Sequence, residues 1–174
     1  MTLYLAQHGA AVPEQEDPER PLSAQGAEDV ERLAGLLAHV GVSVARVLHS
    51  GKTRAEQTAA KLATAVLERG EPEAATGLKP KDDPALLAER LAGLSEDWLL
   101  VSHQPLLGRL ASLLVSGDSE GSPVVFQPGT LLALEPDADG GWRIALVLPL
   151  VLPSFVGFHW AKRAFEWNYL RQYR

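Results

Sequence analysis

Short apolar runs alternate with segments of helical periodicity over the first two thirds of the chain. The run 3–6 predicts a short buried strand. After it, Ser23 can cap a helix that ends near Gly41 and whose apolar residues recur at helical spacing. Because strands and helices alternate, we expect a mostly parallel sheet with helices on both faces.

The same signals place the other elements. We predict further strands over 44–48, 75–78, 98–101, 130–134 and 142–148, and further helices over 54–69, 84–94 and 105–116, the last beginning at Pro105. The turn sequence EPDADGG joins the last two strands as an antiparallel pair. The expected fold class is therefore α/β: a single-domain three-layer sandwich, with a mostly parallel sheet, an antiparallel edge strand and helices on both faces.

Composition limits the classes of protein that this chain can form. With 174 residues and 46% hydrophobic content, we expect one compact domain. Its expected bounds are 1–150, and 151–174 is an aromatic-rich C-terminal extension. The net charge of −6, with scattered basic residues, argues against a nucleic-acid partner. The absence of cysteine excludes disulfides, thiolate metal sites and cysteine nucleophiles. No signal peptide is recognised, so the cytoplasm is the expected compartment.

One apolar segment, 144–160, carries no Lys, Arg, Asp or Glu. A membrane span needs about 20 apolar residues, and this segment is shorter and interrupted by Pro149 and Pro153. An edge strand followed by an apolar tail explains it with less strain than a membrane span. The aromatic tail 158–174 is expected to be covered, either by its own domain or by a second copy or another partner, which leaves a homodimer open.

Three polar residues follow predicted strands: His8, Arg54 and His103. Each has an ordinary alternative, since a histidine after a strand is often structural and an arginine at a helix start is often solvated. In a parallel sheet, however, the strand ends share one edge, and ligands of open α/β sheets bind there. We therefore expect these three residues to converge on one site.

The sequence 53–56 fits a capping box, which places Arg54 in the first turn of a helix. The free N–H groups and the helix dipole there favour an anion, phosphate above all. A neutral, oriented histidine can attack phosphorus, and Gly9 leaves room beside His8. Attack by His8 would give a phosphohistidine that water then hydrolyses, with Arg54 and a protonated His103 stabilising the charge. No metal or other cofactor is required.

These residues lie in four blocks: LYLAQHG, then ERPLSAQG at 19–26, HSGKTRAEQTA at 49–59 and LLVSHQPLLGRLA at 99–111. Over about the first 150 residues the chain resembles the histidine phosphatase superfamily (branch 1), and within it the short SixA-type phosphohistidine phosphatases. The resemblance implies that His8 is the phosphorylated nucleophile, that Arg54 and His103 hold the phosphoryl group, and that an open site admits phosphohistidine on a protein surface.

Gln7 departs from the Arg-His-Gly motif of this family. The arginine of that motif contacts the phosphate, whereas Gln7 supplies an amide without a charge. Losing one charge-assisted contact costs about 1.5 to 3 kcal/mol, roughly ten- to a hundredfold in binding. Lys52 offers a replacement charge, although a solvated surface lysine is its ordinary interpretation. Gln7, Gly9, Lys52 and Arg54 are the expected substrate-binding residues.

The proton donor is not identified. Asp82 and Asp83 lie loosely where larger members of the family keep an acidic residue, but Asp83 before Pro84 also suits a helix cap. His8, His49 and His103 could gather around zinc, yet no pair here has a recognisable ligand spacing. His39 and His159 are expected to be structural or exposed.

The leading hypothesis is a metal-independent phosphatase that acts through a phosphohistidine intermediate, with phosphohistidine on a protein as substrate. The nearest variant is a small-molecule phosphomonoesterase. The alternative from another class is a non-catalytic phosphate or phosphoprotein binding module, its site weakened by Gln7.

Overall fold

The computed structural model describes residues 1–121 and 123–149, which form six strands and four helices. The strands are β1 (Leu3–Gln7), β2 (Arg46–His49), β3 (Glu73–Ala74), β4 (Trp98–Ser102), β5 (Leu131–Pro136) and β6 (Trp142–Leu148). The helices are α1 (Ala24–His39), α2 (Thr53–Val66), α3 (Pro84–Leu91) and α4 (Leu106–Ser116). Their order along the chain is the predicted one. The two-residue strand β3 lies just before the predicted run 75–78.

The strands form one sheet in the order β3-β2-β4-β1-β5-β6. The first four are parallel, while β5 is antiparallel to β1 and β6 is antiparallel to β5. In the register, Gln7 lies beside Ser102, and His49 lies beside Val101. The carboxyl ends of β1, β2 and β4 therefore share one edge, as predicted.

The helices cover both faces of the sheet and so complete the predicted three-layer sandwich. On one face, Tyr4 and Ala6 of β1 pack with α1 and α2; on the other, Leu3 and Leu5 pack with α3 and α4. Because β1 is buried on both faces, it reads as a continuous apolar run. The α/β fold predicted from the sequence is confirmed.

The helix ends confirm two predictions from local sequence and contradict a third. Ser23 caps α1 by accepting from Gly26 N at 3.0 Å, and α4 ends at Gly117, whose φ of 76° is left-handed. The predicted capping box of α2 is wrong: Lys52 is the N-cap and makes no side-chain cap bond. The Thr53 hydroxyl instead donates to Glu19 Oε2 at 3.4 Å.

Gly9 and Gly26 allow the chain after β1 to approach α1 closely. A Cβ on Gly26 would lie 2.0 Å from the carbonyl oxygen of Ala10, and a Cβ on Gly9 would lie 2.8 Å from Cγ2 of Val30. The absence of a Cβ on Gly9 therefore allows close packing of this segment against α1.

Two further predictions concern the C-terminal part of the chain. The tail 150–174, and with it His159, the boundary at 150 and the suggested dimer contact, lies outside the described residues. Within 1–121 and 123–149, none of the helices is both long enough and apolar enough to cross a membrane.

Candidate active site

The three residues predicted to converge do lie together at the carboxyl edge of the sheet. His8 follows β1, His103 follows β4, and Arg54 occupies the first turn of α2, which follows β2. The rings of His8 and His103 have centroids 4.8 Å apart and are tilted by 56°. Arg54 Nε lies 3.1 Å from His8 Nε2.

The hydrogen bonds of His8 define its tautomer. Nδ1 lies 2.7 Å from the carbonyl oxygen of Gly9, which can only accept, so Nδ1 carries the proton. Nε2 of the neutral ring then holds a lone pair and accepts from Arg54 Nε. The backbone is held as well, because His8 N donates to Ser102 O at 3.1 Å. The ring atom of His8 that holds the lone pair therefore lies beside a guanidinium.

The environment of His8 keeps the ring neutral at pH 7. Burial lowers its pKa from 6.5 to about 4, against the opposing effect of the bond to Gly9. The charges of Arg54 and Arg20 lower this pKa further. The His8 ring is thus uncharged throughout the neutral range, the state in which a histidine can act as a nucleophile.

His103 is more deeply buried, with 3% of its surface exposed. Its Nε2 lies 2.6 Å from Ser50 Oγ, and its Nδ1 has no hydrogen-bond partner among the described residues. Burial first, then His8 and the charges of Arg54 and Lys52, lower its pKa to about 3. The sequence predicts a protonated His103, whereas this environment favours a neutral ring. An anion bound beside the ring would act in the opposite direction and raise this pKa.

A buried hydroxyl connects the residue after His8 to Arg54. Thr58 Oγ1 accepts from Gly9 N at 3.1 Å and donates to Arg54 O at 2.7 Å, one helical turn away. The residue after His8 and the first turn of α2 are therefore joined through one side chain. The pKa of Arg54 is lowered, first by burial and then by the charge of Arg20.

Gln7 and Lys52 border the same site. Gln7 is 8% exposed, and its Oε1 has no partner among the residues that the structure describes. Lys52 is exposed at the N-cap of α2, and its charge contributes to the lowered pKa of His103. Gln7 carries no charge, and the structure shows no bond from Lys52 to His8 of the kind that Arg54 makes.

Three residues at the site were missed by the sequence reasoning: Arg20, Ser50 and Thr58. All three lie inside the motif blocks at 19–26 and 49–59, so membership of these blocks is the sequence feature that could have indicated them. Their roles depend on contacts between segments that are distant in sequence, and no local pattern specifies those contacts.

The remaining candidates have other partners. Asp83 Oδ1 accepts from Ala85 N at 2.9 Å and caps α3, while Asp82 Oδ2 accepts from Lys79 N at 2.8 Å. Gly51 N donates to Nδ1 of His49 at 3.3 Å. Among residues 1–121 and 123–149, no group of three or more His, Cys, Asp or Glu is arranged to hold a metal, and the three histidines considered for zinc do not form one.

Comparison with known proteins identifies relatives of this chain. The phosphohistidine phosphatase SixA of Escherichia coli (strain K12) is 29% identical over 145 residues, which cover 80% of this chain and 88% of SixA. An uncharacterised protein from Picosynechococcus sp. (strain ATCC 27264 / PCC 7002 / PR-6) is 35% identical over 130 residues, covering 68% of this chain and 76% of that protein.

A solved structure of the protein histidine phosphatase SixA complexed with tungstate superimposes with a TM-score of 0.75 and 26% identity, covering 86% of this chain and 97% of that one. No protein-family model matches the chain. The resemblance noted from the motif blocks is thus found again over 80% of the sequence and in the fold.

Proposed function

Because this chain is a SixA homologue of the histidine phosphatase superfamily and a phosphatase that acts through a histidine, we propose that His8 is its nucleophile and phosphohistidine on a protein its substrate. Arg54 and His103 hold the phosphoryl group, with Gln7, Gly9 and Lys52 around it. SixA itself is a phosphohistidine phosphatase by name.

The observation that carries the assignment is the pair of bonds on the His8 ring. Nδ1 donates to Gly9 O, and Nε2 accepts from Arg54 Nε. Nε2 has one lone pair, so a phosphoryl group that reaches it takes the place of the Arg54 N–H, and the guanidinium then lies beside the phosphoryl oxygens. This arrangement suits attack on phosphorus, where charge accumulates on the non-bridging oxygens.

In the first step the lone pair of His8 Nε2 forms a bond to phosphorus, and the P–N bond of the substrate breaks. The ring of the phosphoenzyme keeps its proton on Nδ1, where the Gly9 carbonyl oxygen stabilises the positive charge that develops. Arg54 stabilises the negative charge on the phosphoryl oxygens. His8 must be unprotonated for this step, which its lowered pKa provides at neutral pH.

In the second step water attacks phosphorus and the bond from phosphorus to Nε2 breaks. The electron pair returns to Nε2, which restores the neutral ring with its proton on Nδ1. The protons of the attacking water leave with the inorganic phosphate or pass to solvent. Every step uses groups of this chain and water.

The nature of the leaving group explains why a strong general acid is dispensable. When the second ring nitrogen of a substrate phosphohistidine is protonated, its imidazole leaves as a neutral molecule. An alkoxide leaving group needs a proton from the enzyme, and Asp82 and Asp83 are engaged in local backbone bonds. Phosphohistidine is therefore a better match to this site than an alkyl phosphate.

The exposure of the site supports a substrate on a protein surface. His8 and Arg54 are partly exposed, although His103 behind them is buried. We further propose a cytoplasmic location, no nucleic-acid partner, and a 1–150 phosphatase domain followed by an extension whose aromatic residues suit contact with the domain or with a second copy.

The test is hydrolysis of a phosphohistidine-bearing protein and of p-nitrophenyl phosphate, each with a chelator present. We expect turnover of both, faster on the phosphoprotein, and loss of both in His8→Ala. His39→Ala, which removes an exposed histidine at the end of α1, is the matched control and should retain activity. Turnover that survives in His8→Ala would refute the nucleophile. A preference for the aryl phosphate would favour the small-molecule variant.

A further inference from the structure

The charge around His8 does not balance that of a phosphoryl group. At neutral pH a phosphate monoester carries about −1.5 to −2 charges. Arg54 contacts His8 and supplies one positive charge, while Gln7 supplies none. Burial lowers the pKa values of His8 and His103 to about 4 and 3, so neither ring carries a charge before an anion binds. At that stage the groups in direct contact leave part of the charge unmatched.

Arg20 is a second cation whose charge acts on this centre. Its charge contributes to the lowered pKa values of His8, Arg54 and His103. Arg20 lies in the segment 12–22, which follows β1 and leads into α1. This segment closes on itself, since Val12 N donates to Pro21 O at 2.9 Å.

The two sides of Arg20 are fastened to the first turns of α2. Glu19 Oε2 accepts from the Thr53 hydroxyl at 3.4 Å, and Leu22 N donates to Gln57 Oε1 at 2.7 Å. Thr53 is the neighbour of Arg54, and Gln57 lies one turn further along the helix. These bonds hold the backbone of Arg20 beside the helix end that carries Arg54.

The backbone of Arg20 has an unusual conformation. Its φ of 49° is left-handed, and it is the one positive-φ residue other than glycine among the described residues. Such a conformation costs free energy in a residue with a long side chain and tends to mark functional sites. In the same residue, the side-chain Nε donates to Val12 O at 3.4 Å.

Two arginines close together repel each other unless an anion lies between or beside them. Neither Arg20 nor Arg54 forms an ion pair with any residue in 1–121 or 123–149. Glu19, the neighbouring carboxylate, is engaged by Thr53. A bound phosphoryl group would relieve the repulsion and use both guanidinium groups.

We propose that Arg20 binds a non-bridging oxygen of the phosphoryl group and supplies the positive charge that Gln7 does not. The inference rests on the proposed function, since it concerns the phosphoryl group transferred to His8. It makes Arg20 a substrate-binding residue, presented to the site by the segment 12–22 from the side of α2.

The experiment measures binding of inorganic phosphate to the full chain by calorimetry at constant ionic strength. Arg20→Gln should weaken binding about ten- to a hundredfold, the effect of losing one charge-assisted contact. Arg20→Lys, which keeps the charge, should lose less. Arg69→Gln is the matched control, because Arg69 is exposed beyond the far end of α2, about 20 Å of helix from Arg54, and its phosphate affinity should equal that of the wild type.

Two further variants separate recognition from folding. Arg20→Gly suits the left-handed backbone, so it should melt at or above the wild-type temperature and still lose phosphate affinity. Adding Gln7→Arg to Arg20→Gln should restore binding, since it returns a cation to the site. If Arg20→Gln loses phosphate affinity and the added Gln7→Arg does not restore it, Arg20 does not take the place of a cation at position 7.

The inference and the proposed function fail in different ways. If the wild type forms a phosphoryl adduct on His8 while Arg20→Gln and Arg20→Gly bind phosphate as the wild type does, the role of Arg20 is refuted and the nucleophile stands. If the wild type forms no adduct but the Arg20 variants lose phosphate affinity, Arg20 binds the anion and the nucleophile assignment is refuted.

Discussion

Arg54 Nε donates to His8 Nε2 at 3.1 Å, so the guanidinium lies against the ring atom that carries the lone pair. The other ring nitrogen is held by the Gly9 carbonyl oxygen at 2.7 Å. These two bonds orient the ring and place a positive charge where a phosphoryl group must arrive. They connect the fold to the chemistry, because each partner comes from a different strand end or helix start.

Arg54 is expected to be the most sensitive position after His8. Arg54→Gln should lower kcat/KM on p-nitrophenyl phosphate about 10²- to 10³-fold, as for loss of one donor that stabilises transition-state charge. Arg54→Lys should fall in between, because it keeps the charge but lacks the planar guanidinium. Arg69→Gln serves again as the control. Wild-type kcat/KM in Arg54→Gln would show that the contact with His8 has no part in catalysis.

Thr58 is expected to position both halves of the site. Thr58→Val leaves the buried Gly9 N–H without its partner, which should reduce the free energy of unfolding by about 1–3 kcal/mol. The rate should fall about tenfold through misplacement of His8, and Thr58→Ser should restore rate and stability. Thr64→Val, on the exposed face of the same helix, should change stability by less than about 0.5 kcal/mol. Equal effects of the two valine substitutions in urea unfolding would argue against this role.

The lowered pKa of His8 predicts how the ring titrates. NMR of the labelled imidazole should show a midpoint near pH 4 instead of 6.5. The unfolded ring takes up a proton near pH 6.5, before the folded ring does, so the stability that His8 contributes is lost as the pH falls from about 6.5 through 4. A midpoint at or above 6.5 would contradict the burial of a neutral ring.

Gly26 and Gly35 form a matched pair on α1. Gly26→Ala would place a Cβ 2.0 Å from Ala10 O, whereas Gly35→Ala meets nothing within 4 Å. We expect the first to destabilise the protein by about 1–3 kcal/mol through overpacking, and the second to stabilise it by about 0.5–1 kcal/mol. Denaturant unfolding of both variants measures the difference. If Gly26→Ala proves as stable as Gly35→Ala, the close approach of the chain after β1 to α1 is not required.

The parts of this fold that local signals control were predictable from the sequence. The apolar run of β1, the Ser23 cap and the Gly117 helix end each depend on neighbouring residues. The turn before β6 is local too, since Asp137 Oδ1 accepts from Gly141 N at 2.7 Å. The parallel order of the strands then brings the predicted site residues to one edge.

The parts that depend on long-range contacts were not predictable. Thr53 has the right chemistry for a cap, but its hydroxyl is bound by Glu19, which is 34 residues earlier. The neutral state of His103 follows from burial that no motif encodes. The position of Arg20 requires the segment 12–22 to fold against α2. Strand β3 has only two residues, too few for a pattern to define.

The role of His8 as nucleophile can be tested by trapping the phosphoryl group on the protein. The wild type is mixed with a phosphohistidine-bearing protein, quenched within milliseconds in alkali and examined by peptide mass spectrometry and ³¹P NMR. We expect a phosphoryl adduct on Nε2 of His8, present in His39→Ala and absent in His8→Ala. An adduct on another residue, or turnover without any adduct on His8, would contradict it.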